Sequence, residues 1–214
     1  MLIEIEDKFR VGASQIIGSF ILPGEIIDTI YQEVNRKIKL TVAPCKEIVK
    51  AIKEKKLDLG FIEFPLFDDS VVYREWIEDE MVVCSKKSLP NSLGRDDLNQ
   101  CRIVCNARGE YSREFIEEFL ENQELSIYDF DAIFEVDNVT SIIQSIKWSK
   151  PHAPITTIAI VSSLAIEYEL KYKDLYQSSI NSTSLVRKFY IIYREDSNYI
   201  DIIKKICDKL LVLI

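Results

Sequence analysis

The residues able to do covalent or metal chemistry are few and scattered. One histidine, His152, lies in the Pro-flanked stretch Lys150–Pro154. A catalytic triad needs a base beside its nucleophile, and a lone histidine in such a loop reads as a surface residue. The cysteines are Cys45, Cys84, Cys101, Cys105 and Cys207, odd in number and without a Cys-x-x-Cys pair. They read as free thiols of a reducing compartment, and a metal site would need more ligands. The six glycines are dispersed, so no glycine-rich phosphate loop is present. Asp68-Asp69 and Glu78-Asp79-Glu80 offer carboxylates to a hard cation but read as solvated turns. Catalysis, a metal and a cofactor are therefore not expected.

What recurs instead is a way of binding. Four apolar strands each end in small or polar residues that open a helix: Ser14-Gln15, Pro44-Cys45, Asn138-Val139-Thr140 and Ser162-Ser163. A helix N-terminus carries unpaired backbone N–H groups and the positive end of the helix dipole. In open α/β sheets, ligands bind beyond the carboxyl ends of the strands. Were two such lobes to face each other, these helix starts would converge on a cleft for a small, anionic molecule.

The elements that must position these residues follow from periodicity. Phe9–Gly12 is a short strand. Ile17, Phe20, Ile21, Ile27, Ile30, Tyr31 and Val34 recur at helical spacing, interrupted at Pro23-Gly24. Ile38–Ala43 alternates as a strand, Ile48, Val49 and Ile52 mark a second helix, and Leu57–Ile62 is a buried strand. Two successive βαβ units result, joined by right-handed crossovers. Val71–Ile77 and Met81–Ser85 read as two further strands, and Lys86–Asn99, rich in Pro, Ser, Gly and Asn, as a linker. A second series follows: strands at Arg102–Cys105, Ala132–Val136 and Ile155–Val161, with helices opened by Ser112, Asn138 and Ser162-Ser163. The chain closes with the strand Phe189–Tyr193 and an amphipathic helix carrying Ile202, Ile203, Ile206, Leu210 and Leu213.

Composition excludes other classes. The formal net charge is −8, from 27 basic and 35 acidic residues. Nucleic-acid affinity comes mostly from Lys and Arg on phosphates, and the cluster Lys50–Lys56 is interrupted by Glu54, so these residues are not expected to bind DNA themselves. No run of about 18 apolar residues marks a membrane span. The start, Met1–Arg10, is acidic-rich without an apolar core or cleavage site, so no secretory signal is expected and the location is expected to be cytoplasmic.

The order of several short motifs resembles one family. Phe9-Arg-Val-Gly-Ala-Ser-Gln-Ile-Ile-Gly-Ser-Phe-Ile-Leu-Pro23 looks like the opening of the effector-binding domain of LysR-type transcription regulators. Lys55-Lys-Leu-Asp-Leu-Gly-Phe-Ile-Glu63 and Glu78-Asp-Glu-Met-Val-Val-Cys-Ser85 are similar to its next two signature segments. Gly109-Glu-Tyr-Ser-Arg-Glu114 is similar to its Gly-Ser-Gly-Thr-Arg-Glu turn. Thr157–Ser162, then Leu164–Leu170, resemble its late strand and helix, and Arg187–Arg194 resembles the returning strand.

That resemblance implies a two-lobed α/β fold like the type II periplasmic binding proteins, with a ligand cleft between the lobes. Residues 1–85 with 187–214 would form one lobe and 86–186 the other, the chain crossing near Ser85 and Arg187 on two hinge strands. It implies effector contacts at Ser14, Gln15, Pro44, Cys45, Glu63, Phe64, Asn106, Arg108, Asn138, Val139 and Thr140. The sequence departs from the family pattern where Gln15-Ile16 replaces a Thr-Thr pair, where Cys45 replaces Ser or Thr, and where Ser162 replaces Pro. The resemblance further implies a homodimer, tetramers in the full regulator, and DNA contact only through a winged helix-turn-helix preceding residue 1, which nothing in Met1–Lys8 supplies. A stand-alone or transport-associated solute-binding protein would share this fold, as would some enzymes. The Thr-Arg-Phe motif expected of a prephenate dehydratase is absent.

Overall fold

The computed structural model describes residues 8–212. The acidic start up to Asp7 and Leu213 of the closing amphipathic stretch lie outside the described residues. The chain divides into two compact units, one made of the residues up to Glu78 together with those from Arg187, the other of Asp79–Val186.

In the first unit, β1 (Phe9–Ala13) leads into a π-helical turn at Ile17–Ile21, and α1 (Glu25–Val34) begins after the break at Pro23-Gly24. Then come β2 (Ile38–Val42), α2 (Cys45–Lys53), β3 (Leu59–Ile62) and the first part of β4 (Val72–Ser85). β2 and β3 both pair parallel with β1, so the βαβ reading holds. Two opposed glycines set how closely α2 can lie on the sheet. Gly12 and Gly60 are register partners, and a Cβ at either would press on Ile48 of α2. At Gly60 it would also come within 2.7 Å of Ile192 Cγ1, a branched atom with little freedom to move. Gly60→Ala is therefore expected to destabilise by about 1–3 kcal/mol, read as a lower urea midpoint.

The second unit carries the rest of β4, then β5 (Ser92–Leu93), α3 (Arg95–Leu98), β6 (Cys101–Asn106), α4 (Tyr111–Asn122), β7 (Ala132–Val136) and α5 (Val139–Lys147). β8 (Thr156–Ser162), α6 (Glu167–Lys171), β9 (Tyr176–Ile180) and the start of β10 (Leu185–Tyr193) complete it. β10 returns the chain to the first unit, where it pairs antiparallel with β3, and α7 (Ile200–Leu210) follows. Here β6 pairs parallel with both β7 and β8, β4 runs antiparallel to β8, and β9 pairs antiparallel with β4. Ile103, Ile116, Leu120, Ile158 and Leu93 are buried in its core.

Three readings are corrected. The two strands expected on either side of Glu78-Asp79-Glu80 are one strand, β4. The acidic run is not a turn: in extended backbone Glu78 and Glu80 face outward, while Asp79 is buried and accepts a hydrogen bond from Ser162 Oγ at 2.5 Å. Lys86–Asn99 is not a linker, because it folds into β5 and α3 and buries Leu93 and Leu98 fully. And β9 is a strand the sequence pattern did not mark.

Candidate functional site

In the first unit, three strand ends gather the expected residues. Ala13 pairs with Val42 and with Phe61, so Ser14, Pro44-Cys45 and Glu63-Phe64 follow neighbouring strands at the same, carboxyl edge. Ser14 N–H donates to the Phe61 carbonyl at 2.9 Å, and the Ser14 carbonyl accepts from Gly18 N–H at 2.8 Å. Its side chain is only 2% exposed, and its Oγ has no hydrogen-bond partner among the described residues. Buried hydroxyls are normally satisfied, so this one is an exception among the described residues. Gln15 beside it is half-buried.

Pro44 caps α2 with extended backbone and no side-chain hydrogen bond, which leaves the first turn to Cys45. Burial pushes the Cys45 thiol up to about 11, with the Glu63 charge adding to it. Backbone hydrogen bonds from Glu63 and Phe64 and the charge of Arg187 pull the other way and lose. Cys45 is therefore a neutral thiol near pH 7. Glu63 is buried and pairs with Arg187, Oε2 to Nη1 at 3.0 Å, with both side chains under a tenth exposed. The guanidinium lies over the rings of Phe64 and Phe189, 5.6 and 5.1 Å from their centroids. Arg187 thus lies against Glu63 and Phe64 at these strand ends, although its sequence signal was only that of a returning strand.

In the second unit, Asn106 pairs with Val136, so the ends of β6 and β7 bring Asn106 and Asn138 to one edge. Asn138 N-caps α5, its Oδ1 accepting from Ser141 N–H at 2.8 Å. Val139 is buried and Thr140 exposed in the first turn. Arg108 is exposed in the turn before Gly109, whose φ of 88° requires glycine-like freedom. A buried arginine, Arg113, holds that turn: Nη1 donates to the Asn106 carbonyl at 3.3 Å and lies 2.6 Å from Cys105 Sγ.

The fourth expected helix start does not belong to the set. The Ser162 hydroxyl is spent on Asp79, and Ser163 N–H donates to the Glu80 carbonyl at 2.8 Å. A 3-10 turn, Leu164–Ile166, then intervenes before the five-residue α6. Three helix starts remain, two in the first unit and one in the second.

Against this geometry the sequence was compared with known proteins. The family model described as "LysR substrate binding domain" matches residues 4–201. The chain belongs to the LysR substrate-binding domain family. Among curated relatives of this LysR domain is the HTH-type transcriptional regulator YeiE of Escherichia coli K12. It is 24% identical over 216 residues, covering 96% of the chain and 71% of the regulator. Another is a "Probable RuBisCO transcriptional regulator" of Thalassiosira pseudonana, 23% identical, covering 89% of the chain and 63% of that protein. Among solved structures, the OxyR2 regulatory domain of Vibrio vulnificus superposes with a TM-score of 0.73 at 13% identity, covering 100% of the chain and 99% of that domain. The CcmR regulatory domain of Synechocystis in complex with 2-PG superposes with a TM-score of 0.75 at 15% identity, covering 96% of both chains. The LysR domain here therefore has the α/β fold of these regulatory domains, which is periplasmic-binding-protein-like. It is the substrate-binding, regulatory part of a transcription regulator. Among the described residues no helix is long and apolar enough to cross a membrane.

Proposed function

We propose that this domain binds a small anionic metabolite between its two units, which act as the two lobes, and transmits occupancy to DNA-binding segments elsewhere in a longer regulator. The observation that carries the reading is Ser14 Oγ, buried without a partner at a helix start beyond the carboxyl end of β1. The effector is held by helix N-termini and hydroxyl or amide groups at Ser14, Gln15, Pro44-Cys45, Asn106 and Asn138–Thr140 rather than by a full positive charge. Arg187 is already neutralised by Glu63, and the helix starts supply the remaining attraction for an anion. A solved neighbour in complex with 2-PG supports a ligand in this class of domain.

In this reading the domain has no catalytic activity, works in the cytoplasm, and forms homodimers that become tetramers in the full protein. Effector binding favours one lobe arrangement and re-spaces the attached DNA-binding helices. A thermal-shift panel of small carboxylates and phosphorylated acids tests it. A ligand specific for the native state adds about 2.7 kcal/mol at 100 times its Kd. At least one anion is expected to raise the Tm, and Ser14→Ala and Asn138→Ala are each expected to shrink that rise. If no anion responds, or both variants respond like the parent, the site assignment fails.

A further inference from the structure

The number of charges an effector can carry follows from the charges already present, granted the effector site proposed above. In the first unit the expected contacts include one ionised group, the Glu63 carboxylate, and it is already engaged. Glu63 Oε2 lies 3.0 Å from Arg187 Nη1, and both side chains are buried. The pair stands at the start of α2. Backbone N–H groups of Glu63 and Phe64 hydrogen-bond the Cys45 thiol, and Cys45 is the first residue of that helix. Burial keeps the thiol protonated near pH 7, so it adds no charge. Ser14, with its buried and unpartnered Oγ, and Gln15 are neutral. This end of the sheet therefore holds a buried arginine without offering a ligand its charge.

In the second unit Asn106, Asn138 and Thr140 are polar and neutral, and Val139 is apolar. Arg113, buried behind Asn106, is 2.7 Å from Glu117 and 3.8 Å from Glu135. Arg108 is exposed, and water screens an exposed guanidinium, so it does little to hold a buried charge. The attraction for an anion then comes from the starts of α2 and α5, each equivalent to about half a positive charge. That attraction rises in proportion to the ligand's charge, whereas the cost of taking an ion out of water rises with its square. One negative charge is matched by the two helix starts. A second meets no buried cation, because Glu63 already occupies Arg187.

We infer that the effector site is selective for singly charged carboxylates, and that Glu63 sets this selectivity by cancelling the charge of Arg187. A doubly charged acid of the same shape is rejected for its charge rather than its size. Glu63 thus acts through Arg187 as a specificity-determining residue.

Isothermal titration calorimetry at pH 7 tests this with propanedioate, butanedioate and pentanedioate, each against its own monoamide. An amide has nearly the shape of a carboxylate and lacks its charge. At least one monoamide is expected to bind, about tenfold or more tightly than its diacid. Glu63→Gln leaves Arg187 charged and is expected to cut that ratio about tenfold or more. A Glu63 that only supports the fold would weaken both members of a pair alike and leave the ratio unchanged. A diacid that binds the parent as tightly as its monoamide would overturn the inference and leave an anion site standing. An unchanged ratio in a Glu63→Gln variant that still unfolds cooperatively would also overturn it; should that variant not fold, the parent's ratio decides. Silence from every pair would overturn it as well, and the effector reading itself would then survive only if another anion of the thermal-shift panel raised the Tm.

Discussion

Replacing Arg187 by Met is expected to destabilise the domain by about 3–5 kcal/mol, because it leaves a buried carboxylate uncompensated. Glu63 and Arg187 are 6% and 4% exposed at their side chains, so water cannot reach in to take over when one partner is removed. The Coulomb attraction does not set this magnitude. Taking both charges out of water costs about as much as the pair returns, which is why a buried pair contributes little net stability although breaking it is costly. The test follows from that asymmetry. In urea denaturation, Arg187→Met should lower the midpoint strongly. The double variant Arg187→Met with Glu63→Leu should recover most of the loss, since both charges are then gone and the rings of Phe64 and Phe189 still pack on an apolar side chain. If the double variant is as unstable as the single one, the pair is not what the burial implies, and the cost lies in lost stacking on those rings.

The parts of the site that were legible are those written locally. A helix start at a strand end announces itself within three or four positions, so Ser14, Pro44-Cys45 and Asn138 were marked by their neighbours alone, although only Asn138 caps its helix with its side chain. The parts that were not legible depend on partners far away in sequence. Ser162 has the same local signature as Asn138, but its hydroxyl is taken by Asp79, 83 positions earlier. Arg187 reads as one strand residue among many until Glu63, 124 positions away, is brought against it. The fold shows the same division. The βαβ run of the first unit was readable because β1 and β3 are buried apolar runs and β2 alternates apolar and polar residues. β9 was not, because Tyr176, Gln177, Ser178 and Ser179 offer no apolar alternation, and the strand is held by pairing with β4 and β5. The acidic run in β4 was taken for a turn by composition, whereas period-two burial decided its conformation.

Arg113→Met is expected to cost about 1–3 kcal/mol, less than Arg187→Met, although Arg113 is just as buried. The difference lies in what each arginine leaves behind. Arg113 Nε bonds Glu117 Oε1 at 2.7 Å, and Nη1 is 3.8 Å from Glu135 Oε1. Those carboxylates are 24% and 50% exposed at their side chains, so water can resolvate them when the guanidinium is gone. What remains unpaired is the Asn106 carbonyl, worth about the desolvation of one buried neutral acceptor. Arg113→Lys should recover only part of the loss, since one ammonium cannot serve Glu117, Cys105 and Asn106 in the geometry of a planar fork. Urea midpoints should therefore fall in the order parent, Arg113→Lys, Arg113→Met, Arg187→Met. A second readout separates positioning from stability. With the turn after β6 no longer held at Asn106, the anion-induced rise in Tm should shrink in Arg113→Met, while the Asn138 cap on α5 and the contribution of Ser14 stay intact. An Arg113→Met variant that is destabilised but responds fully to the anion would make Arg113 a packing residue and detach Asn106 from the effector site.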